Sequence, residues 1–325
     1  MILLYGRLDD PPLQRTLDAL HEAGASCVVL SQTALDRERL TIELGPGGVN
    51  GVLVVAGQEI RLDRIRSVYA RPLEPPRRWF APEGARRAGQ IHRDLFEWLD
   101  VSPALVVNRP RSMQANASKP LQAQLIGSSG LEVPETLVTS DPAEVHAFWR
   151  EHHRIIFKSS SGVRSIVQEL DEAAVARLPL IAGLAVQFQA YVPGVDVRVH
   201  VVGQRTFAAE IESQVIDYRY PVPGGAEPDI RPTHLPDDVA GQCVALAMLM
   251  DLPLAGIDLR RRPDGSYVCF EVNPMPAYTY FEAHTGLPIS RALAELLMEV
   301  HHGTGDRQPE PDQRHDPLAA AASHS

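Results

Sequence analysis

The sequence predicts an α/β protein composed of α+β modules, and three observations support this prediction. The chain has 325 residues, which is enough for two to three compact modules of ordinary size. Its first third begins with a βαβ pattern of apolar periodicity. Its last third contains a predicted hairpin with oxygen-bearing side chains on one face. The three cysteines are odd in number and widely spaced, so each module is expected to rely on its own apolar core rather than on disulfides.

The N-terminal α/β module is predicted to span residues 1–107. Apolar spacing predicts a strand, a helix and a second strand at residues 2–5, 13–20 and 26–30. A hairpin, a buried strand, a long helix and a final strand are predicted at residues 51–62, 67–70, 83–99 and 104–107. The residues between the buried strand and the long helix are rich in proline and arginine, which predicts a loop.

A central, lid-like module is predicted over residues 108–186, and a C-terminal module over residues 187–302. In the central module we expect helices at residues 112–130 and from Asp141–Pro142 onward, where an N-cap precedes a helix-starting proline. Strands are expected at residues 133–138, 154–158 and 166–168, and another at residues 185–192 opens the next segment. Residues 303–325 are rich in Pro, Asp, Gln and Ala without apolar periodicity, which predicts a disordered tail.

The composition argues against several classes of partner. The formal net charge is -10, which disfavours binding to a phosphate backbone, so no nucleic acid is expected as a partner. The apolar stretch at the start is too short for a signal peptide or a membrane span, so no membrane is expected either. Cysteines within apolar runs suit buried thiols in a reducing compartment and predict a cytoplasmic protein. The arginine-rich residues 61–93 are interpreted as solvated surface rather than a basic docking groove.

The most informative segment is the predicted hairpin near the C-terminus. Asp258 lies on its first strand, and Glu271 and Asn273 share one face of its second strand because side chains alternate along a strand. Carboxylate and amide oxygens are the ligands that Mg²⁺ takes in proteins. The alternative is the polar face of an ordinary hairpin, but the apolar neighbours imply burial, where unpaired carboxylates are costly. We therefore favour a metal site at Asp258, Glu271 and Asn273.

Two lysines stand in apolar surroundings upstream of this hairpin. Lys119 follows Ala117–Ser118, and Lys158 ends a predicted strand and precedes the Ser/Gly loop that contains Ser160, Ser161 and Gly162. Backbone N–H groups of such loops cradle phosphate oxygens in other nucleotide sites. Each lysine taken alone is more often a surface residue whose stem covers apolar area.

A strand that breaks at Pro193–Gly194 is the third feature. It resumes with alternating charge at Asp196 and Arg198, and an acid just past the break is suited to a ribose hydroxyl.

The order and spacing of these residues resemble the ATP-grasp superfamily, in particular the branch with the ribosomal-protein glutamate ligases and the graspetide (microviridin-type) peptide ligases. The likeness covers residues 108–297 and implies an ATP-grasp fold that follows an N-terminal pre-ATP-grasp module. By resemblance, the lysines and the Ser/Gly loop contact nucleotide phosphates and Asp196 holds the ribose. The backbone groups that contact the adenine edge are mostly those of Gln189, Ala190, Tyr191 and Val192. The C-terminal trio holds Mg²⁺, with Mn²⁺ as an alternative.

The resemblance also implies a mechanism. A substrate carboxylate attacks the γ-phosphate of ATP, which gives an acyl phosphate and ADP, and an amine or hydroxyl then completes the amide or ester bond. A fixed cation stabilises the oxyanion of the second step. Arg198 and Arg219 are the candidate catalytic residues, and Arg219 lies in an Asp-x-Arg pattern similar to that of these relatives. The alternative for Arg219 is a surface salt bridge.

The substrate implied is an amino acid or a peptide, and a homo-oligomer is left open. Graspetide ligases often carry paired arginines after an aromatic residue in the N-terminal module, whereas here Ala70 precedes the single Arg71. The sequence therefore assigns no leader-binding role to this module. Two rival functions stay open: a regulatory protein that binds ATP without turnover, and an interaction protein that uses residues 61–93. The intact metal trio and both lysines favour the enzyme.

Overall fold

The structure is a computed structural model, and it describes residues 1–46, 48–73, 79–159, 167–213 and 227–299. Within these ranges the strands form four sheets, and each sheet has its own role in positioning the site. The tail predicted to be disordered, residues 303–325, lies outside the described residues.

A parallel sheet forms the centre of the N-terminal region. Its strand order is β2-β1-β6-β7, and each neighbouring pair is parallel, which confirms the predicted βαβ unit. Strand β1 is buried over its whole length because its side chains alternate between two cores, one against α2 and the other against α1 and α9. The elements are β1 (Ile2–Gly6), α1 (Pro11–Glu22), β2 (Cys27–Ser31), β6 (Ser67–Arg71), α2 (Pro82–Val101), β7 (Leu105–Val107) and α9 (Ile289–Glu299).

A three-stranded antiparallel sheet is attached to this region. It contains the predicted hairpin, observed as β4 (Gly48–Val55) and β5 (Gln58–Arg61), and a further strand β3 (Arg39–Gly45). Strand β3 was missed from the sequence because its side chains alternate only between exposed and half-buried positions, which leaves a weak apolar signal.

The lid sheet has the strand order β10-β9-β11-β8, and all its pairs are antiparallel. One face is covered by an apolar cluster that includes Val145, Ile155 and Phe188. The strands are β8 (Thr136–Thr139), β9 (Ile155–Ser159), β10 (Gln168–Glu169) and β11 (Val186–Ala190); the helices of this region are α5 (Pro142–His152) and α6 (Glu172–Val175). The predicted N-cap of α5 is confirmed, since the Asp141 carboxylate accepts a hydrogen bond from the backbone N–H of Ala143 at 2.8 Å.

The predicted helix at residues 112–130 is interrupted in the structure. It consists of α3 (Pro110–Met113), a 3₁₀ turn at Gln114–Ala117, and α4 (Lys119–Ser128). The break occurs at Ser118, which has an extended backbone and whose hydroxyl caps α4 by accepting from the N–H of Leu121. Pro120 is compatible with the first turn of α4, but it could not continue an unbroken helix without loss of a hydrogen bond. Lys119 therefore lies at the start of a new helix rather than in the middle of one.

The C-terminal sheet is the largest, with the strand order β14-β13-β12-β15-β16 and antiparallel pairing throughout. One face packs on α7 through Val197, Val199 and Ile257. The opposite face is partly covered by α8, whose Phe281 packs on β13 and β14. These elements are β12 (Val195–Val202), β13 (Arg205–Glu212), β14 (Asp229–Thr233), α7 (Asp237–Leu249), β15 (Leu254–Arg261), β16 (Tyr267–Asn273) and α8 (Tyr278–Thr285).

Candidate active site

The face of the lid sheet opposite its apolar cluster carries polar side chains. Lys158 on β9 pairs in register with Gln187 on β11, and Gln189 lies two residues further along the same strand. Paired residues of antiparallel strands share a face, so all three side chains point away from Phe188 and its cluster. Lys158 and both glutamines are buried, with exposures of 8 %, 4 % and 6 %.

A row of charged side chains crosses three strands of the C-terminal sheet. Arg198 on β12 pairs with Asp258 on β15, and Asp258 pairs with Glu271 on β16, which confirms the predicted arrangement of the hairpin. The Arg198 guanidinium donates from Nη1 to Asp258 Oδ1 at 2.5 Å. Arg198 is 7 % exposed, and a buried cation of this kind requires a compensating charge, which Asp258 supplies.

Both predicted lysines converge on Glu271. The Nζ of Lys119, at the start of α4, lies 3.1 Å from Glu271 Oε1, and the Nζ of Lys158 lies 3.9 Å from Oε2. The glutamate is thus held between a helix start and a strand of the lid sheet. Residues far apart in the sequence therefore form one charged cluster at β16.

Asn273 is the last residue of β16. The loop that follows it accepts hydrogen bonds from the N-terminal region at two of its carbonyl groups, those of Pro274 and Pro276. The Asn273 Oδ1 accepts from the N–H of Met275 at 2.8 Å. Asn108, just past β7, donates from Nδ2 to the Pro274 carbonyl at 2.5 Å, and Arg71, at the end of β6, donates from Nη1 to the Pro276 carbonyl at 3.1 Å. Arg71 is itself held by the carboxylate of Asp10, with 2.7 Å from Nε to Oδ2. We call Arg71 and Asn108 the loop clamp.

Gly256 makes room for the Arg198 guanidinium. A Cβ at position 256 would lie 2.3 Å from Nη2 of Arg198 and 2.7 Å from Cβ of Pro276, so no other residue fits there without moving one of them. His200 lies beside this position and pairs in register with Gly256. Full burial and the neighbouring Arg198 lower the pKa of His200 well below its usual range, so its ring is neutral at physiological pH.

The segment predicted to meet adenine and ribose makes several internal contacts. The N–H groups of Ala190 and Tyr191 donate to Glu135 and Arg154 carbonyls at 3.0 and 2.9 Å. The carboxylate of Asp196 accepts from Arg260 Nε at 2.8 Å, and the same arginine donates to the Val192 carbonyl at 3.0 Å. Arg260 therefore fixes the two ends of the Pro193–Gly194 break relative to each other.

Ser160, Ser161 and Gly162 of the Ser/Gly loop, and Arg219 of the Asp-x-Arg pattern, lie outside the described residues. Sequence reasoning missed Arg260, Gly256 and the loop clamp. A glycine between apolar residues of a strand signals close approach of another group, so Gly256 could have been found. The loop clamp gives no such signal, because its two members come from strand ends distant in the sequence.

The chemistry of the assembled side chains points to one class of protein. The space between the two antiparallel sheets brings together two lysines, an arginine, two carboxylates and an amide oxygen. This set of groups suits a nucleoside triphosphate with a hard cation. A family model described as the RimK-like ATP-grasp domain matches residues 116–297, more than half of the chain. The chain therefore belongs to the RimK-like ATP-grasp family, and the predicted fold is confirmed. It is an ATP-dependent ligase that forms an amide or ester bond.

Solved structures of similar fold match almost the whole chain. The ATP-grasp ligase PsnB, in a complex with a phosphomimetic variant of its minimal precursor, Mg and ADP, is 27 % identical; the match covers 92 % of this chain and 98 % of PsnB with a TM-score of 0.76. The macrocyclase MdnC from Microcystis aeruginosa MRC, bound to its precursor peptide MdnA, is 20 % identical, with coverages of 92 % and 99 % and a TM-score of 0.74. A RiPP-associated ATP-grasp ligase from Chryseobacterium gregarium is 21 % identical, with coverages of 92 % and 96 % and a TM-score of 0.76.

A search of curated proteins finds no match. No helix in the described part of the chain is long and apolar enough to cross a membrane.

Proposed function

We propose that this ligase activates a carboxylate of a peptide substrate as an acyl phosphate, with release of ADP, and then joins the acyl group to an amine or hydroxyl. The convergence of Lys119 and Lys158 on Glu271, beside the Arg198–Asp258 pair, carries this proposal. These groups concentrate charge where the terminal phosphates of ATP and the reacting carboxyl would meet. Charge placed in advance at that point stabilises phosphoryl transfer.

The residues of the predicted metal site fit Mg²⁺. Asp258 and Glu271 face each other across two strands and keep 31 % and 27 % of their side-chain surface, so both are accessible to a ligand. An amide oxygen has two lone pairs, so Asn273 can accept the Met275 N–H and still bind a metal. A bound Mg²⁺ or Mn²⁺ would neutralise the charge that develops on the phosphate oxygens.

The side chains of the chain itself hold and orient the reactants. We propose that Lys119 and Lys158 bind the phosphates, and that Ser160, Ser161 and Gly162 contribute to the same binding. Asp196 is proposed to hold the ribose, and Gln189, Ala190, Tyr191 and Val192 to border the adenine. Arg198 is proposed to stabilise the oxyanion of acyl transfer, because its guanidinium is fixed over Gly256 rather than free to rotate in solvent. Arg219 is proposed to assist it.

A peptide rather than a free amino acid is favoured as the substrate by the relatives above 25 % identity. PsnB is 29 % identical in a complex with its minimal precursor, and the match covers 92 % of this chain. A peptide precursor is therefore our proposed partner. All three cysteines are free thiols, which supports the proposal of a cytoplasmic enzyme.

The test is analysis of the products formed from ATP with candidate precursor peptides. We expect ADP and phosphate, and with hydroxylamine present we expect a hydroxamate of the activated carboxyl. AMP and pyrophosphate would contradict the acyl phosphate, since an adenylating enzyme attacks the α-phosphate. Tight ATP binding without turnover on any peptide or amino acid would instead favour the regulatory function.

A further inference from the structure

A cavity of about 170 Å³ lies between the lid sheet, α4 and β16. Its walls are mainly apolar, with Ile126 from α4, Val138 from β8 and Phe270 from β16. Phe270 reaches the cavity because the pairing of β15 and β16 is shifted between Asp258 and Leu259, which leaves Phe270 as an extra, unpaired residue. Apolar walls with a few polar groups are typical of a pocket for a small molecule.

The polar groups of this cavity are few, and most have partners. Gln122 both donates to and accepts from the backbone of Val272, and Gln189 donates to the Thr136 hydroxyl at 3.0 Å. Gln187 differs, because its Oε1 is fully buried and has no hydrogen-bond partner among residues 1–46, 48–73, 79–159, 167–213 and 227–299. Its side chain lines the cavity and is 4 % exposed. A buried carbonyl oxygen without a donor is destabilising unless a ligand supplies that donor.

We propose that Gln187 reads the nucleobase, with its Oε1 accepting a hydrogen bond from the exocyclic amine of adenine. This inference rests on the proposed function, since it requires ATP in the site. The position is suitable, because Gln187 pairs directly with Lys158, whose Nζ lies 3.9 Å from Glu271. Lys119 also lines the cavity and lies 3.1 Å from the same glutamate. A nucleotide with its phosphates at the two lysines therefore has its base directed into the cavity, with Phe270 beside the ring.

Two backbone donors next to the proposed base site are already used within the protein. The N–H groups of Ala190 and Tyr191 already donate within the protein, so neither is available to a ring nitrogen of the base. A side-chain acceptor on the same strand adds a contact that only a base with a donor at this position can use. A site built around such a contact rejects an analogue that lacks the donor, because its own polar group stays unpaired.

The test compares the binding of two diphosphates by calorimetry, with the full chain and Mg²⁺ present. ADP carries the exocyclic amine, and purine riboside diphosphate lacks only that group. For the unmodified protein we expect ADP to bind about tenfold more tightly, the factor of one hydrogen bond to a buried acceptor. In Gln187→Met, which keeps the length of the side chain without its amide, the two affinities should agree within about twofold.

The matched control is Gln124→Met, the same substitution at an exposed position of α4 outside the cavity, and it should keep the full preference for ADP. Gln187→Glu offers only an acceptor, whereas a glutamine amide can rotate and donate to a 6-oxo base. The preference for ADP over inosine diphosphate should therefore rise about fivefold in this variant, and this result is informative even if Gln187→Met does not fold.

Two results would overturn the inference: equal affinity of the unmodified protein for ADP and purine riboside diphosphate, or an unchanged preference in both Gln187 variants. Failure of the proposed function looks different. In that case the unmodified protein still prefers ADP to purine riboside diphosphate but turns over no ATP with any peptide or amino acid.

Discussion

Arg198 on the C-terminal sheet and Gln187 on the lid sheet, which face each other across the site, differ in how their polar groups are satisfied. On the C-terminal sheet, Arg198 and Asp258 pair with each other across adjacent strands, and a glycine is placed to admit the guanidinium. On the lid sheet, Gln187 presents a buried oxygen without a partner in the described part of the chain. The Arg198–Asp258 pair is therefore in place before a ligand arrives, whereas the Gln187 oxygen obtains its partner from one.

The buried apolar core beneath the lid sheet is smaller than the one beneath the C-terminal sheet. Among the described residues, the buried cluster beneath the C-terminal sheet has seventeen members, and that of the lid sheet has six. Fewer buried apolar residues mean a lower free energy of local opening. The lid sheet is thus the side expected to adjust on binding.

Removal of the proposed metal ligands Glu271 and Asn273 from the C-terminal sheet should have the largest effect. In the double variant Glu271→Gln with Asn273→Ala we expect turnover to fall by at least about 10³-fold, because the developing phosphate charge loses its counter-ion. The melting temperature should change by only a few degrees, since both side chains are partly exposed rather than core residues. Steady-state ADP release and thermal melting measure the two quantities. Full activity would remove the metal assignment.

Displacement of the Arg198 guanidinium tests whether the C-terminal sheet is organised in advance. Gly256→Ala removes no charged residue, but it brings a methyl group against Nη2 of Arg198 and Cβ of Pro276. We expect kcat to fall by about 10² to 10³, as for loss of one oxyanion donor, while the Kd of ATP changes less than threefold. Gly241→Ala is the matched control, because a Cβ there meets open space on α7. A rise in Kd with unchanged kcat would mean that Arg198 serves nucleotide binding instead.

The lid sheet should respond mainly in affinity. Lys158→Met removes the charge beside Glu271 and keeps most of the apolar stem, so ATP binding should weaken by roughly 1 to 3 kcal/mol, the range for a charge-assisted contact. Titration of the purified variant with ATP measures the change. An unchanged Kd would assign Lys158 a purely structural role.

The loop clamp predicts a smaller effect on the metal. Arg71→Met frees the Pro276 carbonyl, so Asn273 is held less firmly, and the increase in ADP affinity caused by Mg²⁺ should shrink by about threefold to tenfold. ADP affinity without Mg²⁺ should stay the same, as calorimetry can measure. Ser67→Ala, on the same strand, removes a buried hydrogen bond to the Leu297 carbonyl but does not touch the loop. Equal Mg²⁺ effects in both variants would show that Arg71 only stabilises the fold.

The smallest effect is expected at the surface pair of Glu132 and Arg262, which joins the segment before β8 to the turn between β15 and β16. The hydrogen bond from Arg262 lowers the pKa of Glu132 below its usual value of 4.5. The pair therefore stabilises the fold above about pH 4.5, and this contribution is lost as the pH falls through the lower pKa of the folded state. Glu132→Gln should cost less than about 1 kcal/mol at pH 7 and nothing at pH 2, because the pair is solvent-exposed. Urea unfolding at both pH values measures it, and an equal cost at both would contradict an ionic origin.

The sequence predicts the parts of the site whose side chains follow a local pattern. Alternation within β16 and a short turn were enough to place Glu271 opposite Asp258. The break of the predicted helix before Lys119 was missed, although Ser118 and Pro120 are a cap and a first-turn proline. The loop clamp could not be predicted, because strand order decides which loop lies beside the ends of β6 and β7, and a single sequence does not specify strand order. Arg260 was missed for a related reason: its partner Asp196 is adjacent only through the pairing of β12 with β15.

The loop clamp also limits how this enzyme can be recombined with its relatives. Arg71, Asn108 and Asp10 all precede residue 116, where the match to the ligase domain begins. A chimera that joins this ligase domain to a foreign N-terminal module would retain every charged group of the site. It would nevertheless lose the donors that hold the Pro274 and Pro276 carbonyls, unless the graft brought an arginine and an amide to the corresponding strand ends. Exchange of modules therefore has to preserve those two hydrogen bonds as well as the fold.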